Sequence, residues 1–204
     1  MPEITVRLYQ PADRPAIRRL AWETSDPAAA TDLLDAEFVA DLLTDYYVRW
    51  APGTVWVAQI DNTVAGYLTG CLQERRYAQL MAWRIVPGAI CRAWARGRLG
   101  SPRLWGRAVT WLLALRRQEQ AARRPYPAHL HINLDPRFRR QGIGPRLMER
   151  FLAQVRDAGV PGVCAGVRAD NAAARRFFER LGFIPAFRHP SFSASDTVVY
   201  AKRL

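Results

Sequence analysis

Arg139, Gly142 and Gly144 stand as Arg-x-x-Gly-x-Gly in the run Leu134-Asp135-Pro136-Arg137-Phe138-Arg139-Arg140-Gln141-Gly142-Ile143-Gly144. Those residue types at that spacing suit a phosphate. The run joins an apolar stretch of strand character to an amphipathic stretch of helical character, so it falls at a helix N-terminus, where unpaired backbone N–H groups and partial positive charge favour an anion. Gly142 and Gly144 let the backbone approach a pyrophosphate with no side chain between. Pro145 is tolerated in a first helical turn, where its missing N–H breaks no bond. Arginines in the turn can add bidentate phosphate contacts; the plainer reading of Arg137 and Arg140 is surface charge.

A second constellation lies just upstream. Strand alternation puts His129, His131 and Asn133 on one face and Leu130, Ile132 and Leu134 on the other. Histidine titrates near neutral pH, so His131 could take a proton from an amine directly or through water; the alternative is a core histidine satisfied by hydrogen bonds. Asp170, beyond the following strand, could hold a cationic amine, orient His131, or cap a helix.

The elements that must position these groups follow from pattern. Strands are expected over 4–9, 55–60, 64–72, 128–134, 162–167, 184–188 and 197–202. Helices are expected from Asp13, whose side chain can cap ahead of Pro15, and over 37–50, 143–158 and 171–181, the last ending at Gly182. Asp61-Asn62 is a usable tight turn between the second and third strands. Strand-helix-strand-helix order between 128 and 181 builds a parallel pair covered by helices.

Taken together, Arg139-x-x-Gly142-x-Gly144, the strand end Leu134-Asp135-Pro136, and Asn171, Ala174, Phe177, Phe178, Gly182 and Phe183 resemble the paired signatures of the GNAT superfamily of N-acetyltransferases. The resemblance covers residues 1–72 loosely and 126–204 closely. It implies the GNAT fold, in the α/β (α+β) class: a mixed twisted central sheet of about seven strands flanked by helices. That sheet would be splayed where a coenzyme enters, with a helical insert before the motif strand. It also implies acetyl-CoA as co-substrate, no metal, and direct acetyl transfer to a primary amine of unknown identity. Backbone at Asn133 and Leu134 would pair with the pantetheine arm and thioester carbonyl, and Arg139, Arg140, Gln141, Gly142, Ile143 and Gly144 would hold the pyrophosphate. Asn171 would contact the coenzyme arm while also serving as an N-cap. The catalytic candidates are His131, Asn133 and Asp170.

Phe178 is a departure within the coenzyme-binding set. Many family members carry tyrosine there, whose hydroxyl protonates the leaving thiolate, and phenylalanine cannot. Water is an adequate proton source for a thiolate of ordinary pKa, and Tyr126 and Tyr200 are other candidate donors. The alternative reading is therefore an acetyl-CoA-binding, catalytically weak regulatory or interaction module. The run from Tyr126 to Asn133 is similar to the acetyltransferase-like domain of O-GlcNAc hydrolases and its free-standing bacterial relatives.

Composition agrees with a single domain over residues 1–204: half the chain is hydrophobic and 24 % charged. No signal pattern opens it and no apolar run reaches the roughly 18 residues of a membrane span, so a cytoplasmic protein is expected. Cys71, Cys91 and Cys164 are odd in number and share no metal-like spacing, and are read as small buried residues. The stretch at about 74–126 is a basic helical insert with twelve arginines against two glutamates, a net of +10 in a chain of +12. It also holds Trp83, Trp94, Trp105 and Trp111. Such an insert could recognise an acidic acceptor, nucleic acid or an anionic membrane surface, or be a solvated arginine face over a tryptophan-anchored lid. Nucleic acid has only net charge behind it and no binding motif. A homodimer is open, since terminal strands in this family can exchange or pair between subunits.

Overall fold

The computed structural model describes residues 3–24, 36–97, 125–189 and 195–204. Among these residues seven strands form one sheet: β1 (Ile4–Leu8), β2 (Val55–Ile60), β3 (Thr63–Cys71), β4 (Ala128–Leu134), β5 (Gly162–Arg168), β6 (Ile184–His189) and β7 (Thr197–Arg203). They lie in the order β1-β2-β3-β4-β5-β7-β6, and β4 with β5 is the one parallel pair among them. The expected mixed GNAT-type sheet flanked by helices is what the chain forms. Asp61 and Asn62 join β2 to β3 with φ of 45° and 63°, the left-handed pair that a two-residue hairpin of matching twist requires.

Among the described residues six α-helices flank the sheet: α1 (Arg14–Glu23), α2 (Ala36–Asp45), α3 (Glu74–Leu80), α4 (Val86–Ala95), α5 (Ile143–Asp157) and α6 (Ala172–Arg180). On one face, Leu147, Met148, Phe151, Leu152 and Val155 of α5 recur at helical spacing and pack on Leu130, Val163, Ala165 and Val167. Gly70 on β3 permits this closeness, because a Cβ there would stand 1.9 Å from the Phe151 ring. On the other face, Ile17 and Leu20 of α1, Phe38 and Leu42 of α2, and Ala89 and Ala93 of α4 pack over Val57, Tyr67 and Cys71.

Four expectations are corrected. The Asp13 carboxylate does not cap α1; it accepts from the Gln10 N–H at 2.8 Å and pairs with Arg7 through both oxygens, because the preceding short turn over Pro11–Asp13 needs that partner first. The helix expected over 37–50 ends as an α-helix at Asp45 and continues as a π-turn over Tyr46–Trp50, which turns both Tyr46 and Tyr47 inward. Cys71 and Cys164 are buried, but Cys91 is exposed on the outer side of α4. Trp83 and Trp94 anchor no lid among the described residues, being 80 % and 70 % exposed. The insert is helical over 74–97, as α3, a second π-turn and α4, while 98–124 with Trp105 and Trp111 lies outside the described residues.

Two buried acids tie the insert to the body. Asp41 and Asp45, one turn apart on α2, meet Arg18 and Arg14 of α1, Arg49 of the following π-turn and Arg92 of α4, with Arg92 Nε 2.8 Å from Asp41 and its Nη2 3.1 Å from Asp45. Buried carboxylates persist only when paired in this way.

Candidate active site

The parallel ladder between β4 and β5 consists of two register pairs, Ala128 with Val163 and His129 with Cys164. Beyond them the strands part: Leu130 to Leu134 stay paired with β3, and Ala165 to Arg168 stay paired with β7. Backbone groups on the parted side of β4 thus have no ladder partner from β5, and residues 131–134 are half-exposed there. A chain-like ligand carrying amides can fill this gap as an added strand.

Directly past the gap sits the glycine turn. Asp135 shapes it: its carboxylate accepts from the Arg137 N–H at 3.0 Å and from the Arg137 guanidinium at 2.7 Å, which holds its pKa down at about 2. Arg137 is therefore committed to Asp135, and Arg139 turns back so that its Nε donates to the Leu134 carbonyl at 3.4 Å. Arg140 and Gly142 both take positive φ, 65° and 77°. Gly142 is the N-cap of α5, with open space where a Cβ would stand. Gln141 is exposed beside it, Ile143 is buried under the turn, and a Cβ on Gly144 would lie 2.9 Å from the Phe177 ring. The result is an open, backbone-walled cradle at a helix N-terminus, suited to a pyrophosphate.

The polar face of β4 points into the opposite layer, as alternation required. His129 is 2 % exposed; its Nε2 shares a hydrogen bond with the Tyr47 hydroxyl at 2.8 Å, and its Nδ1 lies 3.0 Å from a Glu74 carboxylate oxygen. His131 is half-buried, with its ring 5.9 Å from those of Tyr47 and His129. Asn133 donates to the Tyr67 hydroxyl at 2.7 Å, and burial pushes that phenol's pKa well above its ordinary range. Thr69 stands directly across the ladder from His131; it is fully buried and its hydroxyl has no partner among the described residues. An unpaired buried hydroxyl is costly enough to mark a place where something polar belongs.

The remaining expected residues fall as follows. Asn171 caps α6, its side-chain oxygen accepting from the Ala174 N–H at 3.0 Å. Asp170 is exposed and bound by Arg168 through both oxygens, at 3.0 and 2.7 Å, and this pairing lowers its pKa. The structure does not bring Asp170 to His131, and the cap role belongs to Asn171. Phe178 is buried among Phe177, Phe183 and Tyr200, so its ring lies under the mouth rather than lining it, while Phe177 is half-exposed beside Gly144. Tyr200 donates to Glu179 at 2.7 Å and accepts from Arg175, and Tyr126 packs near Gly162 at the closed end of the β4–β5 pair. Neither tyrosine faces the gap as a proton donor.

The model of the acetyltransferase (GNAT) family matches residues 15–183, and the chain belongs to that family. Over 53 residues, 26 % of the chain, it is 42 % identical to the ribosomal protein bS18 alanine N-acetyltransferase of Escherichia coli (strain K12), spanning only 36 % of that protein's length. It is 32 % identical over 155 residues to the mycothiol acetyltransferase of Brachybacterium faecium, covering 66 % of this chain and 46 % of that one. The crystal structure of a protein called SsHAT superposes with a TM-score of 0.75 at 25 % identity, over 99 % of this chain and 98 % of that one. No helix among the described residues is long and apolar enough to cross a membrane.

Proposed function

We propose that this protein is an acetyl-CoA-dependent N-acetyltransferase that passes its acetyl group directly to a primary amine. The parting of β4 from β5 after two register pairs, immediately ahead of the cradle at Gly142, carries the reading. The pantetheine arm would complete the missing ladder at Asn133 and Leu134, and the backbone from Arg139 to Gly144 would hold the pyrophosphate. In the reaction a neutral amine nitrogen attacks the thioester carbonyl carbon, the C–N bond forms, and the C–S bond breaks with its electron pair leaving on sulfur. His131 would accept the amine proton, Asn133 would be held in place by Tyr67, and water would protonate the thiolate. Asp170 would act only as a charge at the rim and Phe178 only as support for Phe177. Transfer is favoured over a catalytically weak module because the relatives are named as transferases.

The test is calorimetric titration of acetyl-CoA, followed by thiol release with a panel of amines and peptides. Expected are saturable binding, a tenfold or greater weakening in Gly142→Val, and thiol release above the buffer rate on at least one acceptor. Absence of binding overturns the reading.

For the acceptor we favour an acidic amine-bearing molecule recognised by the insert, through exposed Arg84 rather than the Asp-paired Arg92. An unchanged acceptor KM in Arg84→Gln would remove that preference. The resemblance of the 126–133 run to the domain of O-GlcNAc hydrolases adds that a protein is a reasonable acceptor to screen. Three free cysteines fit a reducing cytoplasm. A homodimer would form along β6, an edge strand of the sheet with Ile184 61 % exposed, and sedimentation that returned only monomer would exclude it.

A further inference from the structure

β3 ends at Cys71, α3 begins at Glu74, and Cys71 stands directly across the ladder from His129. A strand end, a helix start and a neighbouring strand thus bring together three donors of different chemistry. A sulfur, a carboxylate oxygen and an imidazole nitrogen lie within 4.8 Å of one another. Cys71 is fully buried, and the Glu74 side chain is 23 % exposed.

We propose that Cys71, Glu74 and His129 bind a zinc-type divalent ion. Bond lengths of about 2.3 Å to sulfur and about 2.0–2.2 Å to nitrogen and oxygen place neighbouring ligands of a tetrahedral ion roughly 3.3–3.6 Å apart. The 3.0 Å between His129 Nδ1 and Glu74, and the 4.8 Å limit for the set, bracket that separation, so side-chain rotation is enough to close the site. Thiolate with imidazole selects zinc and its transition-metal neighbours over magnesium or calcium. The second shell is consistent: in the tautomer a metal would require, Nε2–H would donate to the Tyr47 hydroxyl 2.8 Å away and Nδ1, freed of its proton, would turn its lone pair to the ion between Cys71 and Glu74. The Tyr46 hydroxyl, 3.7 Å from the Cys71 sulfur, is an oxygen within reach of a fourth position.

Charge also balances. Binding releases the thiol proton, and one thiolate with one carboxylate neutralises a divalent ion, so no net charge is left in the apolar layer. With its ligands on β3, β4 and α3, the ion would be structural, pinning the polar face of β4 to the insert. Cysteine spacing in the sequence argued against zinc because it looked for paired cysteines; this donor set is a Cys-x-x-Glu corner and a histidine supplied by the next strand.

The test needs no acetyl acceptor and is independent of transferase activity. The full chain is stripped with a chelator and titrated with Co²⁺, then Zn²⁺, with Mg²⁺ as a control. Expected are a thiolate-to-metal charge-transfer band with a single equivalent of Co²⁺, its displacement by Zn²⁺, and no response to Mg²⁺. Cys71→Ser should abolish the band, Glu74→Gln should weaken binding at least tenfold, and Tyr47→Phe should weaken it about 10- to 100-fold. Cys91→Ser and Cys164→Ser should leave it unchanged. No band in the wild-type chain, or a band that survives Cys71→Ser, overturns the proposal. If Cys71→Ser does not fold by circular dichroism, unchanged affinity in both Glu74→Gln and Tyr47→Phe overturns it instead.

Discussion

The two faces of β4 are built on different principles. Toward α5 the strand offers Leu130, Ile132 and Leu134 to a close-packed apolar layer, and its far end opens into a cradle made mostly of backbone. On its other face the same strand offers His129 to Tyr47 and Glu74 and Asn133 to Tyr67 through specific hydrogen bonds, with the His131 ring edge-on to Tyr47. Seven consecutive residues thus serve a non-directional interaction on one side and a directional one on the other. On the proposed function, the coenzyme half of the site would depend on main-chain shape, which tolerates many side chains. The acceptor half would depend on side-chain identity, which is where specificity would vary among relatives that share the first half.

Substitutions on the two faces should therefore differ in kind. The largest effect is expected from Phe151→Ala, which empties the apolar layer beneath Gly70 and should cost about 3–5 kcal/mol in urea unfolding. Tyr67→Phe removes a single hydroxyl and leaves the Asn133 amide without that partner, so about 1–2 kcal/mol is expected. Should the two losses prove equal, the contrast between the faces fails. Gly142→Ala forces a non-glycine residue to φ of 77° and should cost about 1 kcal/mol of stability while weakening acetyl-CoA binding. A similar affinity loss from Tyr67→Phe would mean that the two halves are not separable.

Acid provides a smaller probe of the cradle. The folded pKa of Asp135 is depressed to about 2 from 3.8, so its contribution is fully present above the unfolded value and lost as pH falls from about 4 through about 2. Urea midpoints should decline across that window, and Asp135→Asn should flatten part of the decline. Smallest of all, Arg84→Gln should change stability by no more than about 0.5 kcal/mol, as an exposed residue of the insert.

The same contrast explains what could be read from sequence. The cradle was legible because its geometry lies in contiguous residues: positive φ at Gly142, close approach at Gly144 and a strand end at Leu134 leave a local pattern. Alternation along β4 identified the polar face correctly. What that face touches was not legible, because Tyr47, Tyr67 and Glu74 come from elements 55 to 82 residues away in the chain. Tyr47 in particular reaches His129 through a π-turn, which no periodicity rule anticipates. Asp170 failed as a partner for His131 for a comparable reason: Arg168, two residues back, captures it first. The 64–72 strand was placed well, yet nothing in its sequence distinguished Thr69 from any other inward residue of a covered strand.

The arginine grip on Asp41 and Asp45 bears on attempts to shorten the chain. An engineer seeking a smaller enzyme would cut at 74–126, the stretch read from sequence as an insert ahead of the motif strand. The cut would remove Arg92 and leave two carboxylates, 3 % and 2 % exposed, short of a counter-charge that bonds both of them. It would also remove Glu74 from His129. What looks like an appendage in the alignment of motifs is a keystone in the assembled layer, and trimming it requires redesigning α2 at the same time.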